Sequence, residues 1–161
     1  LIDSLKGMIE QNHIRSILIF FRLSLADEQV AKKLANTACN KLLNSFNKSS
    51  DLNIELEMIS ICQKLLGKTS FNQKLNTRFS FGDDWLGATD LDSESWSVFA
   101  ATTSLEIVST VIWCLILEID YEVVAKALKV SEGTIRLRLS LAVRKMGAIV
   151  SKNSARTLAP V

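Results

Sequence analysis

The chain has 161 residues, 48% of them apolar, and a formal net charge of +2. That is core material for one ordinary domain or two small helical ones, while so small a net charge implies no nucleic-acid partner by itself. A single proline, few glycines and sparse β-branched alternation argue against a sheet protein, and the longest apolar runs, Ile17 to Phe21 and Val111 to Leu117, fall well short of the ~18 residues that cross a bilayer.

In chain order, the apolar spacing predicts a helix over residues 4–23, with Leu5, Met8, Ile9, Ile14, Ile17, Leu18 and Phe21 on a broad face. Ala26 and Asp27 make a break. A second helix follows over 28–46, with Val30, Ala31, Leu34, Ala38, Leu42 and Phe46 inward. Asn47 to Ser50 is a polar turn, and Asp51 is placed to cap a third helix over 52–67 that ends at Gly67. Residues 68–81 have no single reading. Lys68, Phe71, Lys74, Arg78, Phe79 and Phe81 interleave basic and aromatic side chains as a single-strand binder does, or they form a loop that packs its phenylalanines into the core. Residues 82–94, Gly82-Asp-Asp-Trp-Leu-Gly-Ala-Thr-Asp-Leu-Asp-Ser-Glu, hold five acidic side chains, four Asp and one Glu, without periodicity and read as a linker. The second domain starts at 95–103. Its long first helix spans 104–118, with Leu105, Val108, Ile112, Leu115 and Ile116 inward. Residues 152–161 read as a frayed tail. The fold class is therefore all-α, with helical domains at 1–81 and 95–161 joined by an acidic linker.

Charge is unevenly spread. Residues 1–48 carry seven basic and four acidic side chains, 49–103 carry four and eight, and 104–161 carry eight and five. Two mildly basic ends flank an acidic middle, as separate partner surfaces would require. Cys39, Cys62 and Cys114 stand far apart among apolar neighbours, which points to three buried thiols in a reducing cytoplasm rather than disulfides or zinc ligands. The one histidine, His13, has no acid or nucleophile at useful spacing. No catalytic, cofactor or metal site is expected, and no enzyme. The opening residues lack a basic flank followed by an apolar stretch, so no signal peptide is expected. A chain that opens on Leu1 has the look of a fragment or a processed form.

Residues 121–145 say most about function. Tyr121 to Leu128 make a short helix, Lys129 and Val130 a turn, and Ser131 an N-cap whose hydroxyl accepts from the free N–H groups of the next helix. That helix spans Glu132 to Met146 and carries Arg136, Arg138, Arg144 and Lys145. Two helices joined this tightly, the second capped and basic, form the unit that lays a helix in the DNA major groove.

The second domain resembles the fourth domain of bacterial sigma factors, above all the short two-domain extracytoplasmic-function type. The family reads Ser-Tyr-Glu-Glu-Ile-Ala before the turn, where this chain has Asp120-Tyr121-Glu122-Val123-Val124-Ala125. After it the family often reads Ser-x-Gly-Thr-Val-Arg-Ser-Arg-Leu-x-Arg-Ala. Here the residues are Ser131-Glu132-Gly133-Thr134-Ile135-Arg136-Leu137-Arg138-Leu139-Ser140-Leu141-Ala142. The first domain is similar more loosely, through Phe21-Arg22 and the segment Ala26-Asp-Glu-Gln-Val-Ala-Lys-Lys. The resemblance implies a factor that binds RNA polymerase core and promoter DNA. Its second domain would meet the polymerase clamp and the −10 element, and its fourth would read the −35 element. The response-regulator type of helix-turn-helix shares Ser-Glu-x-Thr and the closing Arg-Lys-Met-Gly. Tyr121 and Gly133 tilt the resemblance toward sigma.

The departures are chemical. Where the family places an acidic pair against a basic clamp, this chain has Lys32 and Lys33, and like charges near a surface repel by a few kcal/mol at ~4 Å. The third helix carries Glu55, Glu57 and Lys64 and no aromatic, which speaks against promoter melting by that segment.

On the recognition helix, at about 100° per residue, Ile135, Leu139, Ala142, Val143 and Met146 fall on the core side. Gly133, Thr134, Leu137, Ser140, Leu141 and Arg144 face outward. Arg136 and Arg138 flank that face and suit phosphates. Under this reading Ser131, Gly133, Thr134, Ser140 and Arg144 line the groove side, and Arg136, Arg138 and Lys145 hold the backbone. Leu137 and Leu141 stand where the family has serine and arginine. Three roles stay open for them: contact with a protein partner, internal packing, or contact with DNA through a thymine methyl. The rival to promoter binding is accordingly a sigma look-alike that works as a protein adaptor, using Leu137, Leu141, Lys32 and Lys33 toward an anti-sigma-like or other regulatory partner.

Overall fold

The structure, a computed structural model, describes residues 2–49, 51–69 and 92–158. Seven helices account for nearly all of them: α1 Ile2–Ser24, α2 Glu28–Lys48, α3 Ile54–Lys68, α4 Ser93–Thr102, α5 Leu105–Val111 with a π-helical continuation Ile112–Ile116, α6 Tyr121–Leu128 and α7 Glu132–Thr157. Among the described residues there is no strand, and no helix is long and apolar enough to cross a membrane.

Side-chain caps set most of the helix starts. Asp27 accepts from the N–H groups of Gln29 and Val30 at 2.9 and 3.1 Å and opens α2. Asn53, rather than Asp51, opens α3 by accepting from Leu56 N–H at 3.1 Å. Asp92 opens α4 through Glu94 N–H (3.1 Å), Ser95 N–H (3.3 Å) and the Ser95 hydroxyl (2.6 Å). This last cap corrects the linker boundary: Asp92 caps a helix, and Ser93 and Glu94 lie in it. Residues 70–91, which include the interleaved basic and aromatic segment and the rest of the expected linker, lie outside the described residues. α3 runs through Gly67 to Lys68.

α1, α2 and α3 pack on one another, α7 packs on α4, α5 and α6, and α3 lies against α6. The buried side chains make one continuous cluster through both groups. Two contacts of α1 also join the groups. The rings of Phe20 (α1) and Trp113 (π segment) stack with centroids 4.3 Å apart and planes 14° from parallel. Trp96 (α4), fully buried, donates its indole N–H to the carbonyl of Leu23 at 3.0 Å. The hydrogen bond satisfies a buried donor that would otherwise cost about 1–3 kcal/mol.

The 3.6-residue period fails where α5 widens. Leu117 N–H bonds back to Ile112 C=O at 2.9 Å, five residues away, and Ile119 N–H reaches Trp113 C=O at 3.0 Å. A π turn holds an extra residue and rotates everything after it. Trp113 and Cys114 turn inward, and Leu115, expected inward, is 44% exposed. Glu118 then takes a left-handed backbone (φ 54°), and Asp120 caps α6 by accepting from Glu122 N–H at 3.1 Å.

Candidate nucleic-acid interface

α6 and α7 are joined by the turn Lys129–Val130 and the cap Ser131. Lys129 adopts the left-handed conformation (φ 57°), and its N–H closes α6 on Lys126 C=O at 3.2 Å. Such a residue is usually glycine, since a Cβ there crowds the following carbonyl. Ser131 Oγ accepts from Thr134 N–H at 3.1 Å and shares a hydrogen bond with Thr134 Oγ1 at 3.0 Å. Ser131 and Thr134 are thereby committed to the cap. Gly133 beside them is exposed, and a Cβ built on it meets only Ser131 Oγ at 3.6 Å.

Ile135, Leu139 and Ala142 are buried and hold α7 on α5 and α6, with Met146 half-buried. Val143, expected inward, is 60% exposed. On the opposite side Leu137 is 60% and Leu141 43% exposed, with Ser140 and Arg144 exposed beside them. Internal packing of those two leucines is thus not what the structure has.

The basic residues divide. Arg136 is exposed with its guanidinium 5.4 Å from the centre of the Tyr121 ring, a cation–π contact that ties the start of α7 to the start of α6. Arg138 is half-buried. Arg144 is exposed. Lys145 donates through Nζ to the carbonyl of Thr102 at the end of α4. That contact ties α7 to the end of α4.

α7 does not stop at Met146. It continues to Thr157, giving 26 residues and a length of about 39 Å. The expected tail is therefore helical from Lys152 to Thr157. Asn153 Nδ2 donates to Ser95 Oγ at 3.0 Å, holding this extension against α4. Its basic residues, Lys152 and Arg156, are exposed and were missed in reading the sequence. Ile149, three residues beyond Met146 and partly buried against the core, continues the apolar stripe. From Gly133 to Thr157 the helix has six basic side chains and no acidic one.

The partner-binding candidates on α2 lie in the other group of helices. Lys32 pairs with Glu28 one turn earlier at 2.8 Å, both about half-exposed. The same hydrogen bond, then the lysine charge, holds the Glu28 carboxyl below its ordinary range. Lys33 is exposed, and its carbonyl accepts from Thr37 Oγ1 at 3.0 Å. On α3, Glu55 and Lys64 are exposed, and Glu57 accepts from Ser45 at 3.2 Å. Cys62 and Cys114 are buried, whereas Cys39 is only half-buried, a correction to the expectation of three buried thiols. Set against family models, curated proteins and solved structures, the chain has no match.

Proposed function

We propose that this chain is a sigma-factor-like regulator of transcription initiation that binds promoter DNA through α7 and engages RNA polymerase core. In this reading residues 1–81 correspond to the family's second domain, 95–161 to its fourth, and the acidic stretch around 82–94 to its linker. One observation carries the reading: a capped helix, reached through a tight turn, turns an exposed face outward and, beyond Glu132 in its first turn, has six basic side chains and no acidic one. A polyanion is the partner such a face fits. Ser140 and Arg144 address the groove, and Arg136 and Arg138 the phosphates that flank it.

The test is titration of the full chain onto duplex DNA over a range of salt. With three or four phosphate contacts, log K should fall with log salt at a slope of roughly −3. Binding that stays flat from low to moderate salt refutes the reading. Addition of the chain to core polymerase in a purified transcription assay should raise specific initiation.

A second reading has its own observation. Leu137 and Leu141 are exposed one turn apart, and Lys32 and Lys33 stand where the sigma family has an acidic pair. A look-alike acting as a protein adaptor would use both. Recovery of an unrelated partner without polymerase from the native cell favours the adaptor, and recovery of polymerase subunits favours the first reading.

A further inference from the structure

We infer that the DNA taken by α7 is thymine-rich in the major groove, and that Leu137 and Leu141 read it by packing on thymine C5-methyl groups. This rests on the DNA-binding reading above. The outward face offers few groups able to read a base edge by hydrogen bonding. Gly133 has no side chain, Ser131 and Thr134 are spent on the cap, and Lys145 is held by Thr102. Arg136 is drawn toward Tyr121. What remains at the centre of the face is Leu137 at 60% exposure and Leu141 at 43%, bordered by Ser140 and Arg144.

Leucine neither donates nor accepts, so it gains nothing from the edges of guanine, cytosine or adenine. The one apolar group exposed in the major groove is the thymine methyl. Residues four apart on a helix stand about 5–6 Å apart at Cβ, a separation that spans thymines one or two base steps of about 3.4 Å away. The basic run of α7 supplies the attraction that brings this apolar pair to a polyanion rather than to another apolar surface.

The test is selection from a random duplex pool with the full chain, followed by synthesis of the tightest binders in two forms, one with thymine and one with deoxyuridine throughout. The two forms pair identically and differ only by the methyl. The expected result is enrichment of thymine steps and roughly a tenfold loss of affinity in the deoxyuridine form, as two buried methyl groups would give. The double variant Leu137→Ser, Leu141→Ser should bind both forms alike. Its sites are exposed, so circular dichroism should match the parent chain. Winners without thymine enrichment, or equal affinity of the two forms for the parent chain, overturn the inference and leave DNA binding standing. Failure to retain any duplex from the pool overturns the DNA-binding reading itself.

Discussion

Replacing Phe20 by Ala tests whether the two groups of helices unfold as one. Phe20 is fully buried on α1, and its ring lies on Trp113 across the junction. Truncating a buried phenylalanine costs about 3–5 kcal/mol, through lost burial and the cavity left behind. The stacked pair accounts for about 0.5–1.5 kcal/mol of that order. With a urea m-value of about 2 kcal/mol/M, the midpoint should fall by roughly 2 M. Two probes report on different places. Far-UV circular dichroism follows all seven helices, whereas in a Trp85→Phe background tryptophan emission comes only from Trp96 and Trp113, on α4 and the π segment. If the shared core makes one cooperative unit, both probes should move together by the full amount, although the mutated residue lies on α1. A circular-dichroism curve that splits, with tryptophan emission holding its original midpoint, would refute this and show two independently folding domains.

Three further outcomes follow from local chemistry. Ser131→Ala removes the acceptor for Thr134 N–H and should lower stability by about 1 kcal/mol, read by denaturant titration, while Ser131→Asp should retain most of it. The Asp92 carboxyl is held below its ordinary range, first by the Ser95 hydroxyl and then by Glu94 N–H. A depressed folded-state pKa contributes stability above the unfolded carboxylate range and loses it as pH falls through the folded value. The midpoint should therefore drop more below about pH 4 in the parent than in Asp92→Asn, and parallel acid profiles would refute the cap's ionic part. Burial pushes the Cys114 thiol up to about 11 and raises Cys62 further, with neighbouring Cys39 adding to the latter, and raises Cys39 itself. At neutral pH an alkylating reagent should modify Cys39 first and reach Cys62 and Cys114 only on unfolding, as mass mapping of the products would record.

Much of the local structure was legible in the sequence because local rules decided it. Tyr121–Leu128, the turn, and the Ser131 cap come from residues within a few positions of one another, and α1 to α3 follow their apolar period to within two residues or so. The failures have one physical source, contacts from outside the segment. Leu115 turns outward because a π turn breaks the phase, and nothing in Val111 to Leu117 distinguishes that stretch from an ordinary apolar helix. α7 runs past Met146 with Asn153 held by Ser95 of α4, a residue that reads locally as surface. The shared core of the two groups depends on Trp96 and Trp113 meeting α1, and pairings between residues 73 and 93 positions apart leave no periodic trace. At the candidate interface, the outward face was legible as geometry, but Lys145 was read by its charge alone.

The face of α7 can be separated into what the fold demands and what it does not. Folding uses Ile135, Leu139 and Ala142 for burial and Ser131 for the cap. Polar residues at 137 and 141 would serve stability as well, since exposed positions away from such features change it by no more than about 0.5 kcal/mol. Charge shows the same separation. On α2 and α6 an acid and a lysine one turn apart neutralise each other, Glu28 with Lys32 and Glu122 with Lys126, at 2.8 and 2.7 Å. α7 beyond Glu132 has no acid with which to do this, so its five cations from Arg138 onward repel one another along the helix and the isolated fold is slightly poorer for it. Exposed leucines and unneutralised cations on one helix are both unexplained by packing. Both are accounted for when the helix meets a polyanion that carries apolar groups at its floor, and the major groove lined by thymines is such a surface.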